Sequence, residues 1–176
     1  MDTDYFIGID PGITGGIVAV DRSGAIASMA RFDGSNPLVV IKEALGGLGV
    51  GRISVALEKV GARPGQCVSS MFKFGEGYGA IQGLLWGLDI EVTLYSPQEW
   101  QKYLPPAPTP KGKVLAYLGH KGIGELFIYE GCRVPHQGCA DSFGIADYHR
   151  LVSTGSLARP KSATKPPKKR LKPMRF

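Results

Sequence analysis

The strongest constraint on the fold is a succession of three short apolar runs near the N-terminus, each closed by residues that favour turns. The runs cover residues 5–9, 17–20 and 25–32, and Ser23-Gly24 predicts a hairpin turn between the second and the third. Strands that follow one another through such short connections usually pair in chain order. The sequence therefore predicts a three-stranded meander at the start of the fold.

After the meander, segments with the apolar spacing of a helix alternate with segments that have the apolar pattern of a strand. Helices are predicted at 37–48, 69–88, 97–103, 111–118 and 138–151, and further strands at 53–57 and 90–95. A meander followed by alternating helices and strands predicts an α/β fold with a mixed sheet rather than a purely parallel one.

The composition is that of a globular chain, with 43% hydrophobic and 20% charged residues over 176 positions. This length fits one domain. No apolar run reaches the roughly 18 residues of a membrane span, so we expect no membrane partner. The N-terminus does not resemble a signal peptide. Three cysteines without a zinc-type spacing indicate a reducing compartment. We therefore expect a cytoplasmic protein, in the host cytoplasm if a phage encodes it.

The positive charge of the chain is concentrated at its C-terminus. Residues 159–176 contain eight Lys and Arg, four prolines and no acid, whereas the preceding residues carry 13 basic against 15 acidic side chains. We predict a folded domain over 1–152 and a disordered basic tail over 153–176. A flexible polycation suits a nucleic acid, although a solubilising or targeting tail fits the composition equally well.

Three acids occupy places where chemistry is possible. Asp10 closes the first strand, Glu58 closes the fourth, and Asp141 lies in the first turn of the last helix. Carboxylates at strand ends and at a helix start can converge at one edge of a sheet, where they repel one another unless a cation neutralises them. Hard oxygen ligands favour Mg²⁺ or Mn²⁺ over zinc. Together with the basic tail, the three acids indicate a nuclease.

Each acid also has an ordinary structural explanation. Asp10-Pro11-Gly12 can simply form a turn. Glu58 can pair with a neighbouring basic residue, and Asp141 can interact with the helix dipole. Taken together, the three positions favour the metal site.

Three segments, IGIDPGITGGIVAVD, ALEKVGARPGQCVSSMFKFGEGYGAIQGLL and RVPHQGCADSFGIADY, occur in that order. They resemble the RuvC-like Holliday junction resolvases, especially the short phage-type members, over about residues 5–150. The resemblance implies a ribonuclease H-like fold with a five-stranded mixed β-sheet flanked by α-helices. It also implies metal-dependent nicking of four-way DNA junctions by a homodimer.

Carried over by position, the family's catalytic and metal-binding carboxylates are Asp10, Glu58 and Asp141. The resemblance implies two Mg²⁺ ions per site, for which Mn²⁺ can substitute, with Asp10 bridging them. Phage-type members often have His-Asp-Gly where this chain has His136-Gln137-Gly138. Gln137 lies four residues before Asp141 and would share its helical face as a neutral metal ligand. His136 is an alternative catalytic group or ligand, or an ordinary loop histidine.

Several basic residues are candidates for DNA binding. Arg63 lies in the loop after the fourth strand, where some relatives place an aromatic wedge that this chain lacks. Lys111 and Lys113 match a lysine-bearing region of the family, although ordinary solvated lysines are as good an explanation. In the tail, the candidates are Lys168, Lys169 and Arg170.

Four glycines on one apolar helix, Gly75, Gly77, Gly79 and Gly83, allow close helix–helix approach and suggest the homodimer interface. They could equally let this helix lie close on its own sheet.

Three rival functions remain open. Residues 10–15 look like the first phosphate loop of actin-like ATPases, but no second loop of that type follows, so we expect no nucleotide cofactor. The absence of a second acid at Gln137 leaves room for a non-catalytic junction-binding relative. Another nuclease of the same superfamily, acting on RNA–DNA hybrids, is a further possibility.

Overall fold

The computed structural model describes residues 3–61, 65 and 67–159. The strands of this part are β1 (Thr3–Asp10), β2 (Gly16–Asp21), β3 (Ile26–Arg31), β4 (Gly51–Glu58) and β5 (Val92–Tyr95). The predicted hairpin between β2 and β3 is confirmed, because Gly24 has a φ of 91° and its N–H donates to the carbonyl of Asp21 at 3.0 Å.

The strands form one mixed sheet in the order β3-β2-β1-β4-β5. β1, β2 and β3 pair antiparallel in chain order, which is the predicted meander. β4 pairs parallel with β1, and β5 pairs parallel with β4. The predicted five-stranded mixed sheet is therefore confirmed, and β1 lies at its centre.

Helices cover both faces of this sheet. They are α1 (Pro37–Gly46), α2 (Val68–Gly87), α3 (Pro97–Trp100), α4 (Pro110–Lys121) and α5 (Gln137–Ser153), with a 3₁₀ turn at Gly124–Phe127. One buried cluster contains Ile7 and Ile9 of β1 with residues of α1 and α2. A second cluster contains Phe6 of β1 with residues of α3, α4 and α5. Because neighbouring strand residues point to opposite faces, Asp10 lies on the α5 face, like Phe6 and Gly8.

Several predicted boundaries were wrong by two or three residues. The helix predicted over 37–48 ends at Gly46, and the one predicted over 111–118 extends to Lys121. The strand predicted from residue 90 begins at Val92, because the N–H of Ile90 donates to the carbonyl of Leu85 at 2.9 Å and closes α2. The helix predicted over 97–103 ends at Trp100 and continues as turns. The N–H groups of Tyr103 and Leu104 bond to carbonyls only three residues back, those of Trp100 and Gln101. The apolar spacing therefore overestimated the length of this helix.

The last helix crosses the sheet at very short range. A Cβ on Gly8 would lie 2.1 Å from the carbonyl oxygen of Ser142, and one on Gly138 would lie 2.1 Å from that of Thr14. Only glycine allows this approach, and it places the N-terminal turns of α5 directly over the end of β1.

Within the described residues, no helix combines the length and the apolar character that crossing a bilayer requires. The predicted tail lies outside the described residues from position 160 onward. Its boundary at 152 falls in the last turn of α5 and stays a prediction.

Candidate active site

Two of the three predicted carboxylates are neighbours across adjacent parallel strands. Ile9 is in register with Leu57, so Asp10 and Glu58 follow at the same level, at the carboxyl ends of β1 and β4. Ile9 and Leu57 belong to the buried cluster under α1 and α2. Since side chains alternate along a strand, Asp10 and Glu58 both lie on the opposite face, the one that α5 covers.

The third carboxylate reaches this edge through α5. The N–H of Asp10 donates to Oγ of Ser142 at 3.1 Å. The Ser142 Oγ lies 2.8 Å from the carbonyl oxygens of both Gly16 and Gly138, which share its single hydroxyl proton. Because Asp141 precedes Ser142 in the chain, this contact holds the Asp141 backbone next to the end of β1.

Asp10 is held in an unfavourable environment for a charge. Burial raises the pKa of its carboxyl above the ordinary value, although the N–H of Gly12 and the charge of His136 act in the other direction. The Gly12 N–H donates to Asp10 Oδ1 at 3.0 Å and fixes the orientation of the carboxyl. A partly buried carboxylate with so little compensating charge is the type of group that a bound cation stabilises.

Glu58 has a well-defined partner on the α5 face. Nε1 of the buried Trp100 donates a hydrogen bond to Oε1 of Glu58 at 3.0 Å. Neither Trp100 nor Ser142 was predicted as a site residue, because each has the character of an ordinary core residue in the sequence. The only sequence signal for Trp100 was its place in a short capped helix directly after β5.

Gln137 and Asp141 share a face of α5, as their spacing predicts. The amide Nε2 of Gln137 donates to Oδ1 of Asp141 at 3.0 Å. This bond orients the Asp141 carboxylate within the first turns of α5. A role of Gln137 as a metal ligand stays a prediction.

His136 occupies the N-cap position of α5. Its Nδ1 accepts the N–H of Cys139 at 3.2 Å, and its Nε2 lies 3.1 Å from Oδ1 of Asp33. Asp33 also pairs with Arg31 at 2.7 Å. Both ring nitrogens of His136 are therefore engaged in structural bonds, which explains its position without catalysis. Its catalytic role stays a prediction.

The oxygen atoms of the three acids are of the type that binds a hard divalent cation. Their side chains are not grouped around one point in this structure. Asp10, Glu58 and Asp141 offer carboxylate oxygens, which Mg²⁺ and Mn²⁺ prefer. Among the residues that the structure describes, however, no three His, Cys, Asp or Glu side chains stand close enough together to hold a metal ion. Strand register and helix packing bring the three acids to one edge, while the side chains of Glu58 and Asp141 are oriented by Trp100 and Gln137.

The candidate DNA-binding residues are only partly visible. Lys113 lies half-buried in the first turn of α4. The side chain of Lys111 lies outside the described part of the structure, although its backbone belongs to the same turn. Arg63 and the three tail residues lie outside the described ranges altogether, so these assignments stay predictions.

Asp147 follows Asp141 by six residues on α5. It lies away from this edge of the sheet, in a buried network. It accepts hydrogen bonds from Tyr117 and from Arg150, the latter at 2.8 Å, and pairs with Lys121 at 3.3 Å. The network ties α4 to α5, so Asp147 belongs to the core rather than to the candidate site.

No protein-family model matches the chain, and no curated protein matches it. Several solved structures match it, and two of them do so over most of both chains. Thermus thermophilus RuvC in complex with a Holliday junction substrate has a TM-score of 0.59 at 18% identity, covering 91% of this chain and 99% of that one. A second Thermus thermophilus RuvC structure has a TM-score of 0.51 at 21% identity, covering 90% and 99%. The fold of this chain is therefore the ribonuclease H-like fold of RuvC.

Proposed function

We propose that this chain is a structure-selective endodeoxyribonuclease that resolves four-way and other branched DNA junctions by paired, metal-dependent hydrolysis of phosphodiester bonds. The observation that carries the proposal is the position of Asp10 beside Glu58 on the α5 face, with the Asp141 backbone held there through Ser142. The fold shared with RuvC, one of whose structures holds a Holliday junction substrate, supports it further.

In this proposal, Asp10, Glu58 and Asp141 hold two Mg²⁺ ions, with Gln137 or His136 as the fourth ligand. The bound ions supply an activated water and neutralise the charge that develops on the leaving oxygen. The protein supplies the orientation of the carboxylates, through the Gly12 N–H at Asp10 and the Trp100 N–H at Glu58. Lys111 and Lys113 neutralise phosphate charge, and Arg63 is a further candidate for binding DNA.

Cleavage of a panel of substrates tests this function directly. Synthetic four-way, Y-shaped, linear duplex and RNA–DNA hybrid substrates are compared in Mg²⁺ and in Mn²⁺. We expect nicking of the branched DNA, and Asp10→Asn should abolish nicking while junction binding is retained. Preferred cleavage of the hybrid would instead indicate another nuclease of the superfamily.

A non-catalytic junction-binding protein is the second candidate function. It is favoured by Gln137, which contributes no charge, and by the lack of a ready-made three-residue metal group among the described residues. Wild-type protein that binds four-way junctions tightly but cuts no branched substrate in either metal would establish this alternative.

A nucleotide-binding function has less support from the loop geometry. A phosphate loop needs free backbone N–H groups, but the Gly12 N–H donates to Asp10, and the Gly15 N–H donates to the Gly12 carbonyl at 2.8 Å. A rise in melting temperature with ATP would contradict this argument.

The proposed enzyme acts as a homodimer, because paired cuts across a symmetric junction require two sites. α2 carries an exposed stripe at helical spacing, which consists of Phe72, Gly75, Gly79, Gly83 and Trp86. A Cβ added at Gly75, Gly79 or Gly83 would meet no atom within 4 Å. The alternative that these glycines let α2 approach its own sheet is therefore wrong. Phe72 and Trp86 are 67% and 65% exposed. We call these five residues the α2 stripe and propose that they form the dimer interface.

A further inference from the structure

Trp100 joins the β4 carboxylate to the last helix. Its side chain is only 1% exposed, and its indole N–H donates to Oε1 of Glu58 at 3.0 Å. The short helix that carries it is set by Ser96, whose hydroxyl accepts the N–H of Glu99 at 3.2 Å. The backbone position of Trp100, directly after β5, is therefore fixed.

The other side of the same ring lies against α5. A Cβ placed on Gly144 would lie 2.9 Å from Cζ3 of Trp100 and 3.4 Å from Cε3. Gly144 is three residues after Asp141, about one helical turn along the same helix. Trp100 thus contacts β4 through a hydrogen bond and α5 through close packing.

We propose that Trp100 is a positioning residue that orients the Glu58 carboxylate and sets its separation from Asp141. This inference rests on the proposed function, since it assigns Glu58 and Asp141 to one metal site. An indole only donates hydrogen bonds, and the one donor of Trp100 is engaged by a carboxylate oxygen. A buried ring has little freedom to turn, so it restricts rotation of the carboxylate more than water would. Partners of this kind, which orient metal ligands without touching the metal, affect metal affinity strongly.

The test compares Mn²⁺ affinity of the full chain with that of two variants, by the paramagnetic resonance signal of free Mn²⁺. Trp100→Phe retains an aromatic ring beside Gly144 but removes the N–H donor. We expect it to raise the Mn²⁺ dissociation constant by at least about tenfold. Tyr148→Phe is the control, because it removes a buried hydroxyl that has no hydrogen-bond partner among the described residues. It should leave the constant unchanged.

A second pair of variants asks whether Trp100 acts through Glu58. In a Glu58→Ala background, Trp100→Phe should add much less than its tenfold effect in the wild-type background, because the acceptor oxygen that Trp100 orients is gone. Equal effects in both backgrounds would overturn the positioning role. Unchanged Mn²⁺ affinity in folded Trp100→Phe would overturn it as well.

The wild-type indole provides a test that does not depend on the folding of Trp100→Phe. The chain has two tryptophans, so Trp86→Phe leaves Trp100 as the sole emitter. Mn²⁺ should quench this emission along the binding curve that resonance measures, and Mn²⁺ that binds without quenching would contradict the inference. Junction cleavage by wild type combined with no effect of Trp100→Phe on Mn²⁺ affinity refutes this inference alone. Wild type that neither binds Mn²⁺ nor cuts refutes the proposed function and this inference together.

Discussion

The backbone N–H of Asp10 donates to the hydroxyl of Ser142 at 3.1 Å, which joins the central strand to the last helix across 132 positions of sequence. The single proton of the same hydroxyl is shared between two carbonyls, those of Gly16 and Gly138. One side chain therefore holds together the end of β1, the start of β2 and the first turn of α5. Asp10 and Asp141, but not Glu58, therefore depend on Ser142 for their positions.

Ser142→Ala should therefore affect both stability and cleavage. The substitution leaves buried backbone groups without their partner, which costs about 1–3 kcal/mol of the free energy of unfolding. The rate of nicking of a four-way junction should fall by more than the loss of folded protein explains, because α5 loses its hydrogen bond to the end of β1. Urea unfolding and single-turnover cleavage measure the two effects. Ser28→Ala on β3 is the control, and an equal loss of cleavage in it would contradict the prediction.

Asp147 should make stability depend on pH. Burial by itself would raise the pKa of its carboxyl, but hydrogen bonds from Tyr117 and Arg150 and the charge of Lys121 outweigh burial and hold that pKa below its ordinary value. The folded state thus binds this proton less readily than the unfolded state. The stabilisation is complete above about pH 4, the ordinary pKa of an aspartate, and is lost as the pH falls through the lower folded-state value.

The variant Asp147→Asn isolates this contribution. It should lose about 3 kcal/mol of the free energy of unfolding at pH 7, because Lys121 and Arg150 lose their buried partner. The loss should shrink as the pH falls below about 4. Urea unfolding of both proteins at pH 7 and at a series of pH values below about 4 measures it. Asp89→Asn is the control, since Asp89 is exposed and has a φ of 56°, a conformation that asparagine tolerates.

His136 can be assigned to capping or to chemistry by two substitutions. His136→Ala removes the acceptor for the Cys139 N–H and should cost about 1 kcal/mol of stability, whereas His136→Asn should retain most of it, because asparagine is a good N-cap residue. Thermal unfolding measures this difference. Cleavage that recovers in the asparagine variant assigns His136 to positioning α5, and cleavage lost equally in both variants assigns it to catalysis.

The start of the basic tail is fixed on the folded domain. Arg159 pairs with Glu99 at 3.0 Å, donates to the carbonyl of Leu94 at 3.3 Å and lies 4.8 Å from the centre of the Tyr95 ring. A chain that ends at Arg159 loses seven basic residues of the tail. It should bind junctions less tightly and with a weaker salt dependence, because fewer phosphate contacts release counterions.

Two truncations distinguish the effect of the tail after residue 159 from the effect of the contacts of Arg159. Ending the chain at Arg159 should leave the melting temperature and the cleavage rate at saturating DNA unchanged. Ending it at Ala158 should also lower the melting temperature, because the contacts of Arg159 are lost. Fluorescence anisotropy over a salt series gives the binding slopes. An unchanged slope after the first truncation would show that the tail does not contact DNA.

The α2 stripe predicts opposite effects on folding and on association. Gly83→Ala should raise the free energy of unfolding of the monomer by up to about 1 kcal/mol, because glycine is a poor helix former and the added Cβ has open space. Gly79→Glu should raise the dimer dissociation constant at least about tenfold, because a charge would be buried between the helices. Sedimentation measures association. Gly46→Glu on α1, also an exposed glycine in open space, should not change it.

The sequence by itself determined the elements and their order. Apolar spacing, turn residues and helix caps act over a few neighbouring positions, so Ser23-Gly24 predicted its hairpin and Ser96 its cap without any knowledge of the rest of the chain. The same local signals failed where a distant or competing contact decides, as at Ile90, which closes α2 instead of opening β5. The three acids became candidates through their places at two strand ends and a helix start, each of which turn or cap chemistry also explains. The likeness of three segments to RuvC-like resolvases then matched them to that family's carboxylates.

Only the tertiary structure decided how these residues face one another. The parallel pairing of β1 with β4 places Asp10 beside Glu58, and packing of α5 on Gly8 brings Asp141 to the same edge. Packing also assigned Trp100 to a carboxylate and gave His136 its bond to Asp33, 103 positions away in the chain. A hydrogen bond forms only at contact distance and in the right direction. The partners of a side chain therefore depend on how whole elements pack, and a sequence pattern of a few residues does not contain that information.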